Sequence, residues 1–223
     1  MNDPAVQRRP TFAPPPAIIW IMAAVMVGTE LAFEAADRGL LPWARLRIEG
    51  YFYLGFIDMI FEAARDGAAV PTHFYTSFVT YAFLHGGAFH LIMNGVIFLS
   101  LGGILANMLG PIRFMILFAA TAAAGALVFG LITDTQGPLV GASGSIFGFF
   151  GAFKYWEWRY IQRTGAPYQR LWGTVAALIL INVVLYFGYP GGALAWEAHL
   201  GGFIGGVLVA PLLAPRLAIP SPI

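Results

Sequence analysis

Leu139–Gly148 reads LVGASGSIFG, a run of small residues with a serine between an alanine and a glycine, inside a chain that is otherwise largely hydrocarbon. Such a serine has two readings: a spacer that lets two helices touch, or a nucleophile. The choice depends on the solvent around it and on the polar groups at its depth.

The solvent follows from composition. The chain is 59% hydrophobic and 10% charged, with a mean hydropathy of +0.74, whereas soluble domains carry roughly 25% charged residues. Lipid is therefore the medium for most of it. A net charge of +1 offers no electrostatic footing for nucleic acid as a partner. The absence of cysteine removes thiolate catalysis, disulfides and cysteine metal sites.

At about 20 apolar residues per crossing, spans fall near Ala17 to Phe33, Phe83 to Leu109, Phe114 to Thr133, Ser143 to Trp158, Leu171 to Phe187 and Leu194 to Leu213. These six form one membrane domain over residues 17–215, with short tails at 1–16 and 216–223. The first run follows QRRP as a signal peptide would, but it is long enough to span and lacks a small-residue cleavage site, so it reads as a retained anchor. The connection 34–80 mixes Trp43, Tyr51, Phe52, Tyr53, Phe56 and Phe61 with charges, a composition suited to the headgroup layer or to an ordinary packed loop. With six alternating spans, Arg8, Arg9, Arg113, Lys154, Arg159, Arg163, Arg170 and Arg216 share one side, which makes both termini cytoplasmic. The serine stretch then enters the membrane from outside.

The fourth span is short. Ser143 to Lys154 covers roughly 16 Å of helix and reaching Arg159 extends it to roughly 24 Å, against a hydrocarbon core of about 30 Å. Its helix must begin below the outer surface, where unpaired backbone N–H groups need protein or a water-filled cavity over them. Other polar groups fall at matching depth: His85, His90 and Asn94 in FLHGGAFHLIMNG, and His199 in WEAHLGGFIGG. His90 and Asn94 are four apart on one helical face. Intramembrane polar residues are expensive, which favours a functional reading.

A serine nucleophile needs a base, and histidine is the usual one. Ser143 and His199 are the candidate pair. Glu197 and Asp134 read as loop carboxylates, so a dyad fits better than a triad. Ser145 stands where a G-x-S-x-G elbow would need glycine. Metal ligation by His85, His90 and His199 is weakly supported, since no carboxylate flanks them and H-E-x-x-H is absent; no metal or cofactor is expected. The spans also lack the paired acids of an aspartyl protease.

Taken together, HGGAFHLIMN in span two, GASG in span four and AHLGGFIGG in span six resemble the rhomboid family of intramembrane serine proteases, in the bacterial six-helix form. The resemblance implies an all-α, rhomboid-like bundle of six transmembrane helices in the inner membrane. It implies Ser143 as nucleophile and His199 as general base, with His90, Asn94 and the Ser143 N–H at the oxyanion. Gly141 and Gly144 flank the serine. Gly144, Gly148 and Gly151 form one small-residue stripe, and Gly202 and Gly206 form another on the His199 side, so that two backbones can approach closely. Phe147, where many members carry tyrosine, shares the Ser143 face and can pack on His199. A Trp-Arg pair common in the family's first loop would fall on Thr76 and Ser77, so no loop function is carried over. The implied substrate is a single-span membrane protein, with membrane lipid as the other partner. A catalytically silent relative that binds transmembrane helices is the competing reading, and a channel or small transporter is the third.

Overall fold

The structure, a computed structural model, describes residues 13–133, 137–188 and 194–213. Asp134, the tail through residue 12 with Arg8 and Arg9, and the tail from residue 214 with Arg216 lie outside the described residues. In lipid each backbone group must find its partner within the chain, so apolar runs become helices. In chain order these are α1 (Ala17–Asp37), α2 (Leu46–Leu54), α3 (Asp58–Arg65), α4 (His73–Thr80), α5 (Ala88–Ile97), α6 (Gly103–Leu109), α7 (Pro111–Ile132), α8 (Ser143–Thr164), α9 (Gln169–Gly188) and α10 (Trp196–Val209). Among the described residues, extended pairing is limited to one bridge, Phe56 to Leu139. Ala17–Asp37, Ala88–Leu109 and Pro111–Ile132 are long and apolar enough to cross a membrane. The chain is thus an all-helical integral membrane protein.

Helix boundaries depart from the apolar runs for local reasons. The second long run begins at Ala88 and not at Phe83, because Tyr81–Phe83 forms a 3-10 turn and Gly87, at φ +118°, breaks the chain before α5. A π turn over Phe98–Gly102 joins α5 to α6. Below Trp158, α8 continues to Thr164, where Gly165 takes the left-handed cap conformation at φ +70°. The 34–80 connection is itself helical, carrying α2, α3 and α4. Its aromatics divide: Phe56 and Phe61 are buried in the core, while Trp43, Phe52 and Tyr53 are exposed.

That connection is anchored by Arg47. Its Nε donates to Asp37 at 2.6 Å, and its Nη1 donates to Glu30 at 3.0 Å and to the His85 carbonyl at 3.2 Å. The Tyr51 hydroxyl donates to the same carbonyl at 2.7 Å. One guanidinium thereby ties α2 to α1 and to the backbone just ahead of α5, and it draws α1 on past Phe33 to Asp37. Burial opposes the Arg47 charge, but its hydrogen bonds to Tyr51, Asp37 and Glu30 outweigh burial and hold it above its ordinary range. Glu30 is only 2% exposed, so Arg47→Met leaves a buried carboxylate without its counter-ion. The expected cost is about 3–5 kcal/mol, read as a lowered thermal midpoint in detergent. An unchanged midpoint would show that the loop is held by other contacts.

The centre of the molecule is α7, α8 and α10. In lipid no hydrophobic force drives apolar helices together, so close packing of small residues must do it. The GG doublets of α10 meet this need on two sides. A Cβ on Gly202 would overlap the Gly144 carbonyl of α8, and one on Gly206 would overlap that of Gly148. Gly201 and Gly205 face α7 instead, where a Cβ would meet the Ala124 carbonyl oxygen at 2.5 Å and the Ala124 Cβ at 2.5 Å, respectively. Each doublet gives one glycine to each neighbouring helix.

Candidate active site

The chain enters α8 through a tight turn. Gly141 has φ +116°, a conformation that disfavours any side chain, and a Cβ there would lie 2.6 Å from His90 Cε1 and 2.7 Å from its Nε2. Its N–H donates to the Tyr81 carbonyl at 3.1 Å. Ser143 is the first residue of α8 and is half-buried. The first α-type backbone bond of the helix runs from Ile146 N–H to Ala142 at 3.0 Å, which leaves the N–H groups at Ser143 and Gly144 at the helix mouth.

His199 is the fourth residue of α10 and is buried. Phe147, one turn into α8 from Ser143, lies face to face on its ring, with centroids 4.2 Å apart and planes within 4°. A Cβ on Gly144 would stand 3.4 Å from the Ala198 carbonyl oxygen. Residues flanking Ser143 therefore touch residues flanking His199, and the Gly144–Gly202 crossing sets that closeness. His199 Nδ1 stands 2.6 Å from the Asn182 Oδ1 of α9.

His90 and Asn94 reach the same place from α5. Asn94 is buried and donates from Nδ2 to the His90 carbonyl at 3.0 Å, and that nitrogen would lie 3.8 Å from a Cβ on Gly141. Gly86 N–H donates to His90 Nδ1 at 3.3 Å. His85 sits behind, its ring edge-on to His90 at 5.2 Å. Among the described residues no group of three or more His, Asp or Glu side chains is disposed to hold a metal.

The carboxylate assigned above to a loop needs correction. Glu197 lies in the first turn of α10 and is buried, because the helix starts at Trp196, one turn ahead of His199. Two residues apart on a helix, the Glu197 and His199 side chains leave the axis about 200° apart.

Two participants went unread in the sequence. Tyr81 is fully buried, holds Gly141 through its carbonyl and sets its hydroxyl 2.7 Å from the position a Cβ on Gly144 would take; that hydroxyl donates to the Ala122 carbonyl at 3.0 Å. Asn182 is the second, an amide inside the apolar run LILINVVLYF. The cost of an intramembrane polar group, which singled out His90 and Asn94, applies equally to it. Asn182 and His199 border a cleft of about 560 Å³ between α8, α9 and α10, otherwise lined by apolar side chains such as Phe147, Leu178, Leu200 and Phe203.

Comparison with known proteins places these helices in context. Residues 72–216 match the family model of the rhomboid domain. The rhomboid protease GluP of Bacillus subtilis is 29% identical over 151 residues, covering 67% of this chain and 28% of GluP. Rhomboid protein 1, mitochondrial, of Saccharomyces cerevisiae is 33% identical over 148 residues, covering 59% of this chain and 40% of the yeast protein. The putative rhomboid protease YdcA of B. subtilis is 27% identical over 138 residues, covering 62% of this chain and 67% of YdcA. The chain thus matches less than half the length of GluP and of the yeast protein. The matched domain runs from the approach to α4 to just past α10 and includes α5, α8, α9 and α10, which carry His90, Asn94, Ser143, Asn182 and His199, and on that ground the chain belongs to the rhomboid family.

Proposed function

We propose that this rhomboid-family protein is an intramembrane serine endopeptidase that cleaves single-span membrane proteins near the outer face of the bilayer. The observation that carries the reading is that buried His199 is stacked flat by Phe147, one turn into the same helix that Ser143 opens. A silent helix-binding protein would need only the glycine crossings. The reading includes six spans over residues 17–215 and cytoplasmic termini in a bacterial inner membrane. It draws support from the basic residues of α8, which cluster in its second half, away from Ser143.

In this mechanism Ser143 Oγ attacks the scissile carbonyl carbon while its proton passes to His199 Nε2. The carbonyl electron pair moves onto oxygen, where the Ser143 N–H, His90 and Asn94 meet it. The intermediate collapses as the C–N bond breaks, and His199 returns the proton to the leaving amine. Water, deprotonated by His199, then attacks the ester carbonyl, and as the C–O bond to Ser143 breaks His199 returns that proton to Ser143 Oγ. A substrate helix hides each carbonyl in its own hydrogen-bond ladder, so Gly, Pro or polar residues that unwind it mark the cleavable substrates.

A fluorophosphonate probe tests the reading on detergent-solubilised protein. The probe is expected to label wild type and not Ser143→Ala; an unlabelled wild type would favour the silent reading. Asn94 supplies a finer test. One of its amide hydrogens is spent on the His90 carbonyl, and the other remains for the oxyanion. Asn94→Ala is expected to lower kcat by roughly 10² to 10³ with KM little changed. If Asn94 only joined structural elements, its loss would cost about 0.6 kcal/mol of stability with normal turnover in the folded fraction.

A further inference from the structure

His199 is held by two different contacts, and they do different things. The Phe147 ring stacks flat on it, which fixes the plane of the imidazole but does not choose between the two ring flips about Cβ–Cγ. A stack also cannot distinguish the two neutral tautomers. A base that must take a proton through Nε2 needs its hydrogen on Nδ1, and only a hydrogen-bond partner at Nδ1 selects that form.

Asn182 meets this requirement, and its own orientation is determined. Its Nδ2 donates to the Leu178 carbonyl at 2.9 Å, one turn back on α9. The amide nitrogen is thereby turned away, so it is Oδ1 that faces His199 Nδ1 at 2.6 Å. A carbonyl oxygen only accepts. The hydrogen must therefore sit on Nδ1, and the Nε2 lone pair is left for Ser143.

We infer that Asn182 is the positioning residue for His199, so that the dyad works as a Ser-His-Asn set whose third member comes from α9. This rests on the protease reading. The choice of an amide over a carboxylate is physically sensible at this depth. A carboxylate among Leu178, Leu200 and Phe203 would carry a desolvation penalty that a neutral amide avoids. The amide also ties the geometry of the base to the position of α9, which reaches α8 through another polar contact, from Lys154 Nζ to Thr174 Oγ1 at 3.0 Å.

The test uses full-length protein in detergent, with two readouts. Asn182→Leu keeps the branched shape and removes the acceptor; it is expected to lower kcat about 10- to 100-fold, the scale of a misplaced catalytic group, with KM little changed. Asn182→Asp restores an acceptor at Nδ1 and is expected to recover most of that loss, which a purely structural role would not do. The second readout needs no activity: in protein labelled with ¹⁵N-histidine, the His199 signals, assigned by their loss in His199→Gln, should report hydrogen on Nδ1 in wild type and a mixture of tautomers in Asn182→Leu. An unchanged tautomer in Asn182→Leu, or a wild-type kcat there, overturns the inference. Equal loss of kcat in the Leu and Asp variants also overturns it. Should Asn182→Leu fail to fold, Asn182→Ala takes its place against Asn182→Asp. A wild type that cleaves nothing while the tautomer responds to Asn182 would sink the protease reading and leave the positioning role standing.

Discussion

Purified Ser143→Ala is expected to lose cleavage of a transmembrane substrate by about 10⁶-fold, the scale on which serine proteases depend on their nucleophile, while unfolding at the wild-type temperature. The fold should tolerate the change because α8 starts without a side-chain cap, so no cap is lost with the hydroxyl. His199→Ala should lose activity on the same scale. It should also be less stable, since it abandons the stack on Phe147 and the bond to Asn182. Members of one catalytic unit do not add, so the double variant should be no slower than either single one. Cleavage assays and thermal unfolding on the same preparations separate the two effects, and a fully active Ser143→Ala would end the serine-protease reading.

Gly206→Leu carries the second large effect, although the residue is two helical turns from His199. A Cβ at Gly206 would overlap the Gly148 carbonyl, and backbone cannot swing aside as a side chain can. The helices must separate, at an expected cost of about 1–3 kcal/mol for overpacking. The same separation draws His199 from Ser143, and a shift near 1 Å costs on the order of 100-fold in rate. Gly206→Ala should already show much of the loss, because the first carbon is the one that collides. Unchanged turnover in Gly206→Leu would mean that the crossing which sets the catalytic distance lies elsewhere.

What could be read from the sequence and what could not divide along a physical line. His90, Asn94 and His199 stood out because each is a polar group among hydrocarbon, a contrast visible one residue at a time. The glycine stripes were legible because helical periodicity puts Gly202 and Gly206 on one face without any knowledge of the neighbour. The second glycine of each doublet was not read as a contact with α7, since nothing in the order of residues says that α10 is embraced on two sides. Arg47 was illegible for a similar reason: its partners Asp37, Glu30 and the His85 carbonyl lie 10, 17 and 38 residues away. Asn182 lies 17 residues from His199 on a different helix, and its meaning appears only when α9 is laid beside α10. The helices inside 34–80 escaped notice because each is only 8 or 9 residues long, too short for an apolar periodicity to declare itself.

The π turn at Phe98–Gly102 bears on how the chain tolerates changes of length. Such a turn holds one residue more than the α-turn it replaces, so it acts as an insertion absorbed in place. Deleting one residue there would let α5 run into α6 as a regular helix, with Asn94 still on Gly141 and Leu105 and Leu109, both buried, still facing inward. The same deletion four residues earlier or later would rotate everything beyond it by about 100° and turn one of those two faces into lipid. Where a deletion falls in this helix is therefore a matter of mechanics: this one turn can lose a residue with both faces kept in register, and its neighbours cannot.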